Sequence, residues 1–334
     1  MTYARKTLIS LQDTPYYHVV ARCVRRAWLW GFDEYAGRDY SHRKQWVLER
    51  FTRLSSMFAI DICAYAIMSN HYHLVVRVDV DCARNWAAAE VVERWTQLFS
   101  KPPLIERWEQ GRCDETEREF AEQIIERWRR RLYDVSWYMR CLNEHLARRA
   151  NLEDNCTGRF WEGRFRSQAL LDEAGLLTAM VYVDLNPIRA VIATTPEDSP
   201  FTSIYARIEA LKNKGASAQA VSTMPKSVSA APPLLDFRPS ENVNAIPFTL
   251  RDYLELADWT GRVVRTDKRG AIDRALPAIM QSLALDEDAW RLSMRPRGNV
   301  FGRALGQLDH MRLHARTLGQ SWIKGVGRAT KAFG

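Results

Sequence analysis

Two histidines separated by one residue are the first side chains in this sequence whose types and spacing could do chemistry. His71 and His73 begin the run HYHLVVRV, whose apolar β-branched residues are typical of a strand. Side chains alternate between the two faces of a strand, so both imidazoles and Val75 point the same way. One face therefore offers two nitrogen ligands within reach of one metal ion, although half-buried histidines without a ligand would give the same pattern.

A second pair of residues with chemical potential occurs much later in the chain. Tyr182 and Asn186 are four residues apart, a spacing that puts both side chains on one face of a helix. Pro187 follows Asn186 and indicates that the helix ends near this point. The phenol is a potential nucleophile and the amide oxygen a potential metal ligand, so this helix could complement the histidine strand.

The order of these motifs resembles that of one known family. Residues 68–73, MSNHYH, are similar to the HUH motif of single-tyrosine HUH transposases. Residues 182–190, YVDLNPIRA, resemble the nucleophile helix of their REP-associated tyrosine transposase branch. Three supporting segments occur in the family's order: YYHV at 16–19, GRFWEGRF at 158–165 and SPFTS at 199–203. The resemblance extends over residues 10–210.

The resemblance implies an α+β fold, with an HUH/ferredoxin-like antiparallel sheet and flanking helices, and the residue pattern after the linker predicts a smaller helical C-terminal domain. The residue patterns agree, since they predict a strand over 15–24, a helix over 41–57 that begins after Ser41, and two strands over 59–68 and 71–79. A further strand is expected over 158–170, before the tyrosine helix.

Three segments are expected along the chain. Residues 1–211 are predicted to form the catalytic domain, with an insertion at about 100–131 that compact members of the family do not need. Residues 212–234 are rich in Ala, Ser, Lys and Pro and are predicted to be a linker. Residues 235–334 are predicted to form a helical, basic C-terminal domain.

The chemistry implied by the resemblance is cleavage and transfer of single-stranded DNA by a transposase that acts on hairpin-forming DNA. Tyr182 would form a 5′-phosphotyrosine intermediate, and His71, His73 and Asn186 would hold a divalent cation, Mg²⁺ or Mn²⁺. A phenol with a pKa near 10 needs such help, because it attacks only a phosphate whose charge is neutralised. Two other classes stay open, a catalytically silent DNA-binding regulator of transposase descent and a metal nuclease that activates water.

The charge distribution favours a nucleic-acid partner. The net charge is +8 and the isoelectric point is near 9.2. Residues 289–334 alone carry nine basic residues and one acidic residue. Their net charge of +8 equals that of the whole chain. Basic and aromatic residues are also interleaved over 25–30 and before the tyrosine helix, as in surfaces that stack bases. The side chains expected to contact single-stranded or hairpin DNA are Arg159, Trp161, Arg164, Arg166, Arg189, Arg303, Arg312 and Arg316.

Other features restrict the class of protein. None of the six cysteines forms a CxxC pair, so a zinc site is not expected, and no apolar run is long enough for a transmembrane helix. The absence of a signal peptide predicts reduced thiols and a cytoplasmic, nucleoid-associated bacterial protein. Monomer and homodimer are both compatible with the resemblance. His18 could be a third imidazole near the metal, but it is interpreted as a sheet-surface residue. His310 and His314, four residues apart, could bind a metal on a helix, but they are interpreted as histidines without a ligand.

Overall fold

The computed structural model describes residues 9–24, 31–33, 37–215, 231–239, 244–264, 277–283, 285–294, 302–321 and 323. The mixed aromatic and arginine run at 25–30, most of the predicted linker and the basic residues after 323 lie outside them. The strands are β1 (Tyr16–Arg22), β2 (Phe32–Asp33), β3 (Arg38–Asp39), β4 (Ile60–Ile67), β5 (His71–Val78), β6 (Arg166–Leu170) and β7 (Ala304–Leu305).

The helices occur singly or in runs between and after these strands. They are α1 (Arg43–Ser55), α2 (Val80–Asn85), α3 (Ala88–Thr96), α4 (Pro103–Glu109), α5 (Glu115–Leu132), α6 (Val135–Glu153), α7 (Glu173–Asp184), α8 (Asn186–Arg189), α9 (Ser203–Gly215), α10 (Leu250–Val264), α11 (Ala278–Ser282), α12 (Glu287–Ser293) and α13 (Leu308–Thr317).

Five strands form one sheet in the order β4-β5-β1-β6-β7. The first three pairings are antiparallel, and β7 adds to β6 in parallel. Strands β2 and β3 form a separate two-stranded sheet. A largely antiparallel sheet with flanking helices is the α+β class that the sequence predicts, and that expectation is confirmed.

One face of the sheet is an apolar core. Alternate residues of β1 and β5, among them Val19, Tyr72 and Leu74, enter it without exposure to solvent and meet α1, α3, α5 and α6. The predicted insertion contributes to this core through α5, where Trp128 stacks on Trp95 with ring centroids 5.5 Å apart. The longer helix of this segment, α5, therefore packs against α2, α3 and α6 and belongs to the same core.

The opposite face is covered by α7, the helix that carries the tyrosine. Asp172 caps the helix by accepting a hydrogen bond from the Gly175 amide at 2.8 Å. Helix α7 is buried on nearly all sides because α10 packs on its outer surface. Buried Asp184 links these helices, since it accepts hydrogen bonds from the Tyr253 hydroxyl and the Ser203 hydroxyl, both at 2.5 Å.

The C-terminal residues complete the sheet of the catalytic part. The Leu171 amide donates to the Leu305 carbonyl at 2.9 Å. Helix α7 accommodates β7 because residue 175 is glycine, where a Cβ would meet the Leu305 carbonyl oxygen at 2.5 Å. The predicted domain boundaries stay predictions, but the described residues after 231 share the sheet and the core of the preceding ones. A chain cut near residue 212 would lose these contacts.

Two local expectations differ from the structure. Helix α1 begins at Arg43 with His42 at the cap position, because Ser41 instead donates its amide to the Asp39 carboxylate at 2.8 Å. The strand expected over 158–170 is shorter, and only Arg166–Leu170 pair regularly with β1. Residues 158–165 are irregular apart from one bridge between Trp161 and Cys23.

Candidate functional site

The register between β1 and β5 gathers three imidazoles on the face that α7 covers. Val20 lies opposite His73, and His18 lies opposite Val75. Paired residues point to the same face of a sheet, so His18 stands diagonally beside His73. Their rings stack with centroids 5.1 Å apart, and the rings of His71 and His73 lie 4.9 Å apart. The structure thus brings together the two histidines expected from the sequence and adds His18.

Hydrogen bonds join this cluster to the helix that follows α7. The Asn186 Nδ2 atom lies 3.1 Å from His73 Nε2, and His18 Nε2 lies 2.9 Å from His73 Nδ1. His71 Nδ1 lies 2.6 Å from the Asn70 side-chain oxygen. His73 and Asn186 are both buried. The predicted third ligand therefore contacts one of the two predicted imidazoles directly.

Tyr182 faces the same cluster. Its ring centroid lies 5.9 Å from that of His73 and 6.4 Å from that of His18, in edge-on geometry. The side chain is half-buried, whereas most other residues of α7 are buried. A phenol, two neighbouring imidazoles and an amide thus meet within one chain.

Arg189 packs against Tyr182 instead of facing solvent, which differs from its expected contact with DNA. Its guanidinium carbon lies 3.8 Å from the centroid of the Tyr182 ring, and its Nε donates to the Met294 carbonyl at 2.6 Å. Only 6% of Arg189 is exposed. A cation over the face of a tyrosine fixes the orientation of that ring, so Arg189 positions the phenol.

The histidines of the site are held neutral by their surroundings. Burial lowers the pKa of His18 to about 4, against the opposing hydrogen bond with Gln168. Burial and the charge of Arg22 lower the pKa of His71 to about 4. The pKa of His73 falls well below its usual range, first through burial and then through its histidine and arginine neighbours. Neutral imidazole is the form that binds metal ions.

The donor atoms fit a divalent cation held by two imidazoles and one amide. Asn70 accepts from His71 Nδ1, so His71 Nε2 keeps its lone pair, and rotation of the Asn186 amide would turn its oxygen toward the histidines. In the part of the chain that the structure describes, no cluster of three or more His, Cys, Asp or Glu side chains could hold a metal ion. A cation at this place would therefore depend on Asn186 for its third protein ligand.

The residues expected to bind DNA fall into two groups. Arg159, Arg164, Arg166, Arg312 and Arg316 are exposed, and Arg303 is half-buried beside β7. Trp161 differs from the expectation, because its indole nitrogen donates to the Asn143 carbonyl at 2.9 Å and its ring packs on Tyr72. Its ring therefore contributes to the apolar core on the face opposite the histidines.

Sequence reasoning set aside His18 and missed two further residues of the site. His18 is not a sheet-surface residue, since it is 3% exposed and contacts His73. Gln168 lies opposite His18, and exposed Arg22 lies opposite His71, so both point to the histidine face. The alternation of β1 already puts His18 and Arg22 on one face. Only the register with β5 and β6 reveals that this face is the one with the metal-binding pattern.

The distant histidines pair with carboxylates. His310 Nδ1 lies 2.8 Å from Asp172 Oδ2, and His314 Nδ1 lies 2.6 Å from Asp13 Oδ2. These contacts anchor α13 to the start of α7 and to the segment before β1.

Comparison with known proteins gives one structural match. No protein-family model matches the chain, and no curated protein matches it. Among solved structures, the chain is similar to a REP-associated tyrosine transposase bound to a REP hairpin, with a TM-score of 0.38 and 11% identity over 71% of this chain and 100% of that one. This is the family that the sequence motifs resemble.

None of the helices that the structure describes is both long enough and apolar enough to cross a membrane.

Proposed function

We propose that this protein is a metal-dependent single-stranded DNA endonuclease and strand transferase, a transposase that acts on hairpin-forming DNA through a 5′-phosphotyrosine intermediate. The observation that carries the proposal is the position of the Tyr182 phenol, whose ring lies 5.9 Å from that of His73, which in turn contacts Asn186. A tyrosine beside a neutral imidazole pair and an amide oxygen has the parts needed for metal-assisted attack on a phosphodiester.

Each residue has a chemical role in the proposed reaction. The Tyr182 oxygen forms a bond to phosphorus and loses its proton, while the bond from phosphorus to the 3′ oxygen breaks and that oxygen takes up a proton. Arg189 holds the phenol ring in place. His71, His73 and Asn186 would hold the cation, which neutralises charge on the phosphate when bound. The covalent link preserves the phosphodiester energy, so a second strand end can reverse the step without ATP.

The two nitrogen donors make a prediction about the metal. Imidazole is a softer ligand than the carboxylate and water oxygens that Mg²⁺ prefers, so Mn²⁺ suits this site better than Mg²⁺. We therefore expect cleavage at lower concentrations of Mn²⁺ than of Mg²⁺.

The DNA strand is expected to reach the site from the exposed end of the histidine face. Exposed Arg22 lies opposite His71, and exposed Arg166 lies opposite Val20 on the neighbouring strand. Both arginines thus emerge beside the half-buried His71, where they could neutralise phosphates. Arg159 and Arg164 extend the positive charge, and Arg312 and Arg316 lie beyond β7 on α13. We propose DNA of a bacterial nucleoid as the substrate of this activity.

A labelled-strand assay tests the proposal. Hairpin-bearing single strands, labelled on the 5′ or 3′ side of the cleavage point, are incubated with the protein and Mn²⁺ and run on a denaturing gel. A protein–DNA adduct that keeps only the 3′-side label is the expected result. A cut without an adduct would support a metal nuclease that activates water, and binding without a cut would support a regulator. Because Tyr182 and the histidines come from one chain, a monomer is expected to suffice.

A further inference from the structure

A chain of hydrogen bonds runs across four strands to the histidine pair. It begins at the Ala304 carbonyl in β7, which accepts from Gln168 Nε2 at 3.5 Å. Gln168 Oε1 lies 3.4 Å from His18 Nδ1, and His18 Nε2 lies 2.9 Å from His73 Nδ1. His18 and Gln168 are each 3% exposed, so water does not readily replace these partners. The two longer contacts orient the side chains more than they stabilise the fold.

The end group fixes the direction of every bond in this chain. A carbonyl oxygen only accepts, so Gln168 must turn its NH₂ group to Ala304 and its oxygen to His18. That oxygen accepts from His18 Nδ1, which leaves Nε2 of the neutral His18 ring as an acceptor. His73 must then donate from Nδ1, and its Nε2 keeps a lone pair.

We propose that His18 and Gln168 are positioning residues that hold His73 in the Nδ1–H tautomer, with its Nε2 lone pair directed toward Asn186 and a divalent cation. A metal-binding histidine needs an unprotonated ligating nitrogen and a partner for the other nitrogen, which sets both tautomer and ring orientation. The metal part of this inference rests on the proposed function, whereas the tautomer is a property of the chain itself.

The two histidines of the pair are thus oriented by different means. His71 donates from Nδ1 to Asn70, its neighbour in the sequence. His73 depends on partners from β1, β6 and β7, and the last of these strands comes from the C-terminal part of the chain. A change at Asn70 would affect the orientation of His71, while a change in β7 would affect the orientation of His73.

Nitrogen NMR of the metal-free protein tests the tautomer directly. The chain has seven histidines, so ¹⁵N-histidine labelling gives a spectrum in which each ring shows its protonated and unprotonated nitrogens. At pH 7.5 we expect His73 and His18 to carry their protons on Nδ1. A His73 ring that carries its proton on Nε2 would overturn the proposal, and this result needs neither metal nor DNA.

Two variants test the consequence for metal binding. His18→Leu removes the acceptor of His73, and Gln168→Leu removes the acceptor of His18 while leaving both imidazoles. We expect Mn²⁺ affinity, measured by electron paramagnetic resonance, to fall about 10- to 100-fold in His18→Leu and less in Gln168→Leu. The NMR signals of His73 should shift toward the Nε2–H form in both.

Ser167→Ala is the matched control. Ser167 is next to Gln168 but points to the other face of β6, and its buried hydroxyl has no hydrogen-bond partner among the residues that the structure describes. This variant should keep the wild-type tautomer and Mn²⁺ affinity. Unchanged Mn²⁺ affinity in both folded leucine variants would refute the positioning role. A wild-type protein that binds no Mn²⁺ would refute the metal in the proposed function, while its NMR spectrum would still decide the tautomer. If His18→Leu does not fold, Gln168→Leu and the wild-type spectrum decide the question.

Discussion

On strand β5, Tyr72 and Leu74 enter an apolar core on one face, whereas His71 and His73 face α7 and its tyrosine on the other. The apolar face is held by many small contacts, none of which depends on a single atom. The histidine face also packs apolar residues such as Val75 against α7, but its chemical groups are oriented by individual hydrogen bonds between named atoms, such as His18 Nε2 with His73 Nδ1. Damage to the first face should therefore reduce stability, and damage to the second should reduce chemistry.

The largest difference is expected from two tyrosine-to-phenylalanine substitutions. Tyr182→Phe removes the proposed nucleophile, so cleavage and adduct formation should disappear while hairpin binding stays near wild type. Tyr72→Phe, on the other face, removes a 2.7 Å hydrogen bond to Asn143 and should cost about 1 kcal/mol of unfolding free energy with cleavage retained. Gel assays and denaturant titrations measure both. Full cleavage by Tyr182→Phe would place the nucleophile elsewhere.

A second pair of variants compares adjacent residues of β5. Leu74→Ala should lower the unfolding free energy by about 2–5 kcal/mol, because Leu74 is fully buried, while the remaining folded protein binds Mn²⁺ normally. His73→Ala should abolish Mn²⁺ binding and cleavage. Denaturant titration measures the unfolding free energy, and titration calorimetry on the folded protein measures Mn²⁺ binding. Equal effects of both variants on metal affinity would show that the two faces are not separable.

The buried imidazoles also predict how stability depends on pH. The pKa of folded His18 is about 4, below its ordinary 6.5, so the unfolded chain binds more protons between these values. The unfolding free energy that His18 contributes is fully present above pH 6.5 and is lost as the pH falls toward 4. Burial raises the pKa of Asp184 from 3.8 to about 6. Between those values the folded protein binds more protons than the unfolded chain, so this carboxyl lowers the unfolding free energy as the pH rises.

The difference between wild type and His18→Gln isolates the histidine, because Asp184 is common to both. In EDTA, the wild-type protein should lose more unfolding free energy than His18→Gln between pH 7 and 5. Parallel pH curves for the two proteins would mean that His18 titrates normally in the fold.

The smallest effect is expected at the end of α8. Val191 has a φ of 58°. Its amide donates to the Ile188 carbonyl, and the Ile192 amide donates to the Pro187 carbonyl. These are the two hydrogen bonds with which many helices end at a glycine. A β-branched residue is strained in this conformation, so Val191→Gly should raise the unfolding free energy by about 1 kcal/mol. Thermal denaturation measures the gain. Cleavage should not change, since Val191 is 90% exposed and outside the hydrogen-bonded cluster.

The sequence predicts more of the fold than of the contacts within the site. Alternation in β1 and β5 assigns each residue to its face, because the period of two is local. The spacing of Tyr182 and Asn186 likewise predicts their common direction. The contact between His18 and His73 could not be predicted, since it depends on strand register, which is set by the whole sheet. Arg189 was expected to contact DNA, because nothing local shows that its guanidinium packs on Tyr182 and donates to the Met294 carbonyl.

The parallel pairing of β6 with β7 has a consequence for the timing of synthesis. Leu170 leaves the ribosome 135 residues before Leu305, which at ordinary translation rates is on the order of ten seconds. Until then, the nascent chain has both histidines and the tyrosine but lacks the carbonyl that orients Gln168. The edge of β6 is also unpaired in that interval, which is when a chaperone or a neighbouring chain could bind it.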